Sequence, residues 1–139
     1  MYDSVQSQLI AEFSSLSCWE DRYKKIIAMG RELPPLPVEL HTDSIKVKGC
    51  QSQVWLHGHL DKTHRVQFLA DSDALIVKGL IAILLKIYSD QTPQEILKVE
   101  PHFIRELGFA ENLSPSRTNG LFALVKQIKY YALAFQTVV

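Results

Sequence analysis

The residues in this chain that could make or break a covalent bond are two cysteines, Cys18 and Cys50, and five histidines, His41, His57, His59, His64 and His102. Cys50 stands in the run Val47-Lys48-Gly49-Cys50-Gln51-Ser52-Gln53-Val54-Trp55, between two segments whose residues alternate as strands do. Glycine turns tightly or takes φ > 0 without a Cβ clash, so Gly49 can set Cys50 at the tip of a connection. Unpaired structural cysteines usually sit in apolar runs, as small hydrophobes, and Lys48, Gln51, Ser52 and Gln53 are poor company for one. A reactive thiol is the working expectation; a cysteine that merely lines a turn is equally compatible with these residues alone.

A cysteine nucleophile of the hydrolase kind needs a base beside it, because a thiol with pKa near ~8.5 is only a few per cent ionised at neutral pH. None of the histidines has a recognised spacing to Cys50, and no Asn or Asp can be assigned as a third member. His57-x-His59 puts two imidazoles on one face of a strand and, with Cys50, could bind zinc, but Gly58 interrupts the pair and no fourth ligand is evident. No GxGxxG or Walker sequence occurs. What remains is a thiol that works on a sulfur already activated by a partner, which requires exposure during docking and a fitting surface. Cys18, beside Trp19 at the first turn of an expected helix, reads as a packed thiol.

These residues must be positioned by a chain of 139 residues, long enough for a core and short for two ordinary domains, so one domain spanning 1–139 is expected. Hydrophobic residues make up 47% and charged residues 22%, a globular balance. Fifteen basic and fifteen acidic residues cancel, which gives no overall pull toward nucleic acid or anionic lipid. The N-terminal residues show no secretory pattern, and the most apolar run, residues 74–88, is broken by Lys78, Gly79 and Lys86 and falls short of a membrane span. A cytoplasmic protein with reduced thiols is expected.

Val5, Leu9, Ile10, Phe13 and Leu16 recur at helical spacing after Asp3 or Ser4 as candidate caps. Ser17-Cys18-Trp19-Glu20 has the form of a capping box for a second helix, with Gly30 placed to end it. Leu33-Pro34-Pro35-Leu36-Pro37 reads as an extended connector. Alternation then predicts three strands: around Ile45 and Val47, around Val54 to Leu56, and around Val66, Phe68 and Ala70, with a turn at Asp61-Lys62-Thr63. Asp71-Ser72-Asp73 reads as a helix start for residues 74–89, where Gly79 implies close packing against another backbone. Thr92-Pro93-Gln94-Glu95 is a second capping box, a further turn or two follows from His102 to Leu107 and is closed by Gly108, and Ser114-Pro115 opens a last helix striped by Leu121, Leu124, Val125, Ile128, Ala132 and Phe135. Arg117, a cation in that helix's first turn, opposes the dipole and calls for a partner, Asp71 or Asp73, or a task.

Three ordered motifs carry a resemblance: Gly49 to Trp55; Asp71-Ser72-Asp73 with Ile76-Val77-Lys78-Gly79-Leu80; and Leu113-Ser114-Pro115-Ser116-Arg117 with Gly120-Leu121. Together with Trp19-Glu20-Asp21-Arg22-Tyr23 and Gly30 to Pro34 they resemble the SufE family of sulfur-acceptor proteins over nearly the whole chain, the CsdE paralogues being less close. The resemblance implies an α+β fold with helices packed on a three-stranded antiparallel sheet, the SufE/NifU (IscU-like) arrangement. It implies that Cys50 accepts sulfur from the persulfide of a pyridoxal-phosphate-dependent cysteine desulfurase of the SufS or CsdA type, activates that enzyme, and passes sulfur to a SufBCD-type scaffold for iron-sulfur cluster assembly. No cofactor or metal of its own is implied, only a covalent persulfide; a homodimer is compatible. Gly49, Gln51, Gln53 and Trp55 are candidates for the loop, and Asp73 and Arg117 for holding it or meeting the desulfurase. The loop would shelter a persulfide against an apolar surface to which Val54 or Trp55 contributes, and would swing outward on docking. The alternatives are a U-type iron-sulfur scaffold and a stand-alone cysteine-dependent thiol transferase or hydrolase.

Overall fold

The computed structural model describes residues 2–50 and 52–137, without the side chains of residues 2, 3 and 110. Two helices, α1 (Tyr2–Ser14) and α2 (Trp19–Arg31), lead through two 3-10 turns (Val38–Leu40 and Asp43–Ile45) to the antiparallel strands β1 (Val54–Leu60) and β2 (Val66–Ser72). Five helices follow: α3 (Leu75–Tyr88), α4 (Pro93–Lys98), α5 (Phe103–Glu106), α6 (Phe109–Asn112) and α7 (Pro115–Gln136).

The strands alternate as their sequences dictate. Val54, Leu56 and Gly58 on β1, and Val66, Phe68 and Ala70 on β2, are buried, while Trp55, His57, Gln67 and Leu69 lie partly exposed on the other face. The hairpin turns on Asp61, whose carboxylate accepts hydrogen bonds from the main-chain N–H of Thr63 (2.8 Å) and Arg65 (3.1 Å). Bonds from the Thr63 and Gln67 side chains, together with those main-chain bonds, hold this carboxyl far below the usual range.

Among the described residues the sheet has two strands rather than the expected three. The segment around Ile45 and Val47 meets β1 only through a Lys46–Trp55 bridge and a bond from the Val47 N–H to the Val54 carbonyl (2.8 Å). A 3-10 turn ends at Ile45 and another turn begins at Lys48, so too few residues between them are extended to make a ladder.

Helix α3 crosses the buried side of the molecule, and nine of its residues, from Gly79 to Tyr88, are buried. Its glycine is where α2 comes closest. A Cβ on Gly79 would stand 2.1 Å from the Ile26 carbonyl oxygen, and one on Gly30 would stand 2.7 Å from the Gly79 nitrogen. Gly79 therefore does pack against another backbone. Gly30, expected to end α2 in the left-handed conformation, lies within the helix, and Glu32 caps it in the right-handed region. Its lack of a Cβ serves the crossing, not the termination.

The Ser17 capping box does not form; Cys18 is the N-cap residue of α2, without a side-chain bond, and is exposed instead of packed. Asp71 and Ser72 end β2 instead of capping α3, whose N-cap is Ala74. The box at Thr92/Glu95 and the cap at Ser114 form as expected. Gly108, expected to close the turn after His102 to Leu107, takes φ +70° after α5 and leads into α6, a helix the residue pattern did not announce. Helix α7 closes the core with Leu121, Leu124, Val125, Ile128 and Ala132, and the Tyr131 hydroxyl donates to the Leu56 carbonyl on the outer edge of β1 (2.9 Å).

Candidate functional site

Gly49 has φ +90°, a conformation that favours glycine, in the turn that carries the chain from Val47 to Cys50. The turn lies on α7: a Cβ at Gly49 would be 3.3 Å from the Ala123 Cβ. Cys50 follows half-buried, its Sγ 3.6 Å from the Gly120 carbonyl, to which the thiol donates a weak bond. The sulfur packs directly on this turn of α7: a Cβ at Gly120 would stand 3.5 Å from Sγ, in ordinary van der Waals contact.

Beside the thiol opens a pocket of about 370 Å³. Its floor is apolar, made by Val54, Val77, Leu80, Ile81, Leu121 and Leu124, from β1, α3 and α7. Ser52, Ser114, Ser116 and Arg117 add polar groups. Removal of Cys50 from water raises its thiol pKa above the ordinary value, because the low-dielectric surroundings disfavour the thiolate. At rest the sulfur is a protonated, weakly nucleophilic thiol facing a space large enough for additional atoms.

The loop's return to β1 is clasped from across the sheet. The Gln53 N–H donates to Asp73 Oδ1 (3.0 Å), and the Asp73 N–H donates to the Gln53 carbonyl (3.3 Å). Of the residues singled out from the sequence, Gly49, Cys50, Gln53 and Asp73 thus come together, and Arg117 joins them at the pocket. Gln51 lies outside the described residues.

Arg117 makes no ion pair with Asp71 or Asp73 among the described residues, because both acids are engaged elsewhere. Asp71 receives His41 Nε2 at 3.0 Å and Lys78 Nζ at 3.4 Å. Burial works against its ionisation, but the bonds from His41 and the Ser72 N–H and the charge of Lys78 outweigh it and hold its carboxyl below the usual range. Trp55 is not a wall of the pocket. Strand alternation turns it to the face opposite Val54, where its ring packs edge-on against His41, 4.7 Å between centroids.

The histidines lie away from the thiol. His57 and His59 are neighbours on the outer face of β1, with ring centroids 6.0 Å apart; His102 faces Glu106, and His64 occupies the hairpin turn at φ +62°. None lines the space around Cys50, and among the described residues no three His, Cys, Asp or Glu side chains converge as a metal site would require.

Of the apolar surface expected beneath the loop, the residue pattern points to Val54 but not to the walls from α3 and α7. Leu80, Gly120 and Leu121 occur within the recognised motifs, yet no single-residue signal tells that they meet a cysteine 70 positions away from Gly120.

An α+β protein with one half-buried thiol, a left-handed glycine before it and an apolar pocket beneath it defines the class: a fold built around a sheltered cysteine. Comparison with known proteins is consistent with that. The Fe-S metabolism associated domain of the SufE family matches residues 7–132. An uncharacterized SufE-like protein of Rhizobium etli is 44% identical over 126 residues, 88% of this chain and 85% of that protein. The chain belongs to the SufE family, and with it to proteins associated with iron-sulfur metabolism. A hypothetical protein from Thermus thermophilus, solved in solution, has the same fold, with a TM-score of 0.79 over 96% of both chains at 24% identity.

Proposed function

We propose that this protein is a sulfur acceptor and activator for a pyridoxal-phosphate-dependent cysteine desulfurase, with Cys50 as the residue that takes and carries the sulfur. The observation that carries the proposal is the position of Cys50 Sγ, half-buried at the Gly120 carbonyl and beside a pocket of about 370 Å³ with an apolar floor. In the transfer, the Cys50 thiolate attacks the terminal sulfur of the desulfurase persulfide. A new S–S bond forms at Sγ, the donor's S–S bond breaks, and its electron pair leaves on the desulfurase cysteine, with no net oxidation. The proton of the Cys50 thiol goes to solvent beforehand. Removal of the sulfur frees the desulfurase for its next turnover.

The product, a Cys50 persulfide, is open to reductants. Val77, Leu80, Leu121 and Leu124 offer it an apolar shelter, and the Asp73–Gln53 clasp keeps the loop folded over that shelter until a partner docks. Arg117, exposed and lining the same pocket, is the candidate for contact with the desulfurase. The sulfur then passes to a SufBCD-type scaffold, and both exchanges belong in the cytoplasm with these partners. No base is required beside Cys50, since the sulfur it receives is already activated.

The test is to incubate the protein with a cysteine desulfurase, pyridoxal phosphate and cysteine, and to measure intact mass and the modified site without reductant. One added sulfur at Cys50 is expected, lost in Cys50→Ser and kept in Cys18→Ser. Full stimulation of the desulfurase by Cys50→Ser would show that transfer does not run through this thiol.

A further inference from the structure

The pocket beside Cys50 is larger than a single sulfur requires. At about 370 Å³ it falls within the range of small-molecule sites, about 300–1,000 Å³, and one added sulfur atom fills a small part of it. Its lining is mixed. Arg117 is the one charged side chain among the described residues that line it, Ser52, Ser114 and Ser116 bring hydroxyls, and Val54, Val77, Leu80, Ile81, Leu121 and Leu124 are apolar.

The polar groups of α7 stand close to the thiol. Ser116 and Arg117 precede Gly120 by four and three positions, one turn of the helix or a rise of about 4.5–6 Å, and so share its face. The Gly120 carbonyl is 3.6 Å from Cys50 Sγ. The Ser114 Oγ accepts the Arg117 N–H at 3.3 Å and lies 3.3 Å from the Ser116 Oγ. Arg117 is exposed and makes no ion pair among the described residues, since Asp71 is taken by His41 and Lys78, and Asp73 by the Gln53 N–H. A free guanidinium about one turn from a thiol, in a pocket with an apolar floor, matches a ligand with three parts: an anion, a short carbon chain and a sulfur. The planar fork of the guanidinium pairs with a carboxylate through two parallel bonds, and the floor selects an organic body over an all-oxygen anion.

We propose that this pocket is also a site for small persulfides that carry a carboxylate, R–S–SH, from which Cys50 takes sulfur directly. Arg117 binds the carboxylate, Leu80, Leu121 and Leu124 receive the carbon chain, and the outer sulfur meets Sγ. The inference rests on Cys50 being a sulfur acceptor, but not on a desulfurase. The Cys50 thiol gives its proton to solvent and the thiolate attacks the outer sulfur. A new S–S bond forms at Sγ, the donor's S–S bond breaks, and the electron pair leaves on R–S⁻ with no net oxidation. Burial raises the Cys50 thiol, so a small thiol of ordinary pKa is the better leaving group, which favours loading over the reverse exchange. A desulfurase docked at Arg117 and a small donor would exclude one another.

Binding is tested first with an unreactive mimic, in a Cys18→Ser background and without any partner. γ-Methylthiobutyrate, a thioether with a carboxylate and no exchangeable sulfur, should protect Cys50 from iodoacetamide, read by intact mass. Its half-protecting concentration should be about tenfold lower than that of the corresponding amide. Arg117→Gln should erase the preference for the acid, and Arg117→Lys, which keeps the charge without the fork, should retain part of it. Where Arg117→Gln melts below the parent, the preference in the parent and its partial retention in Arg117→Lys decide. The persulfide of γ-mercaptobutyrate should then add one sulfur at Cys50 at a rate that levels off with concentration, whereas loading by the amide persulfide stays linear. Equal protection by acid and amide would overturn the inference, as would an acid preference that survives in Arg117→Gln, or protection by the acid with no loading from its persulfide. Desulfurase-dependent loading is measured in parallel. Its failure beside normal loading from the small persulfide sinks only the desulfurase partnership, the converse sinks only this site, and failure of both sinks the acceptor role of Cys50.

Discussion

Replacement of Asp73 by alanine removes one of the two hydrogen bonds of its clasp with Gln53, the one from the Gln53 N–H to Oδ1 at 3.0 Å. The reciprocal bond from the Asp73 N–H to the Gln53 carbonyl, at 3.3 Å, remains. A hydrogen bond to a charged group is worth about 1.5–3 kcal/mol, and the exposure of this one lowers the figure to about 1 kcal/mol. Nothing in the core changes, so the loss falls on the balance between the loop seated over the apolar pocket and the loop released. At about 1.4 kcal/mol per factor of ten, 1 kcal/mol multiplies the released fraction by about five. Iodoacetamide reaches Cys50 in the released state, and its rate should rise by that factor while the pH midpoint stays put. The measurement uses a Cys18→Ser background, with mass detection and a parallel melting curve. Asp73→Asn, which keeps an acceptor oxygen, should lie between the parent and the alanine variant. A rate in Asp73→Ala equal to the parent's, with unchanged melting, would refute the view that this carboxylate holds the loop.

Gly79→Ala places a Cβ 2.1 Å from the Ile26 carbonyl oxygen, a backbone atom that cannot yield cheaply. Overpacking of this kind should cost more than about 2 kcal/mol in urea unfolding, and a loss under about 0.5 kcal/mol would show that α2 and α3 separate easily. Alkaline stability should fall because burial, aided by Glu100, raises the phenol of Tyr88, and burial also raises the phenol of Tyr131 and the thiol of Cys50. Groups raised in the folded state stabilise fully below their unfolded pKa values, about 8.5–10, and that stability drains as pH rises toward the folded values. Urea midpoints at pH 8 and pH 10.5 should therefore differ in the parent. The difference should shrink in Tyr88→Phe, which also loses about 1 kcal/mol at pH 8 with its bond to the Val99 carbonyl; an undiminished difference would remove Tyr88 from the account.

Signals contained in one element were legible from the residues. The Thr92/Glu95 box and the Ser114 cap are satisfied by bonds within three residues, and the alternation of β1 and β2 follows from one buried face. What the local pattern could not reveal was competition between roles. A glycine near a helix end looks alike whether it ends the helix or admits another helix, and Gly30 does the second because Gly79 faces it. Asp71 and Asp73 look like helix caps, but His41 from the segment before β1, Lys78 and a loop N–H claim them first. The Cys50 loop itself was readable, since glycine and small polar residues leave a cysteine few reasons to be there. Its pocket was not, because the walls come from α3 and α7 and depend on how those helices cross.

The position of Cys50 also bears on the competing functions. A scaffold that builds a cluster needs about three thiolates or an equivalent set near one point. The chain has two cysteines, and Cys18 stands exposed at the N-terminus of α2, away from the groups that line the pocket beside Cys50. A self-sufficient thiol enzyme needs a base that ionises its nucleophile, whereas the polar contact of Cys50 Sγ is a carbonyl oxygen, which accepts the thiol proton without removing it. Burial favours the neutral, less nucleophilic thiol there. A carrier has the opposite need from an enzyme: its sulfur should be unreactive everywhere except against the right partner. A loop held by one clasp over a pocket with an apolar floor would meet that need with a single cysteine.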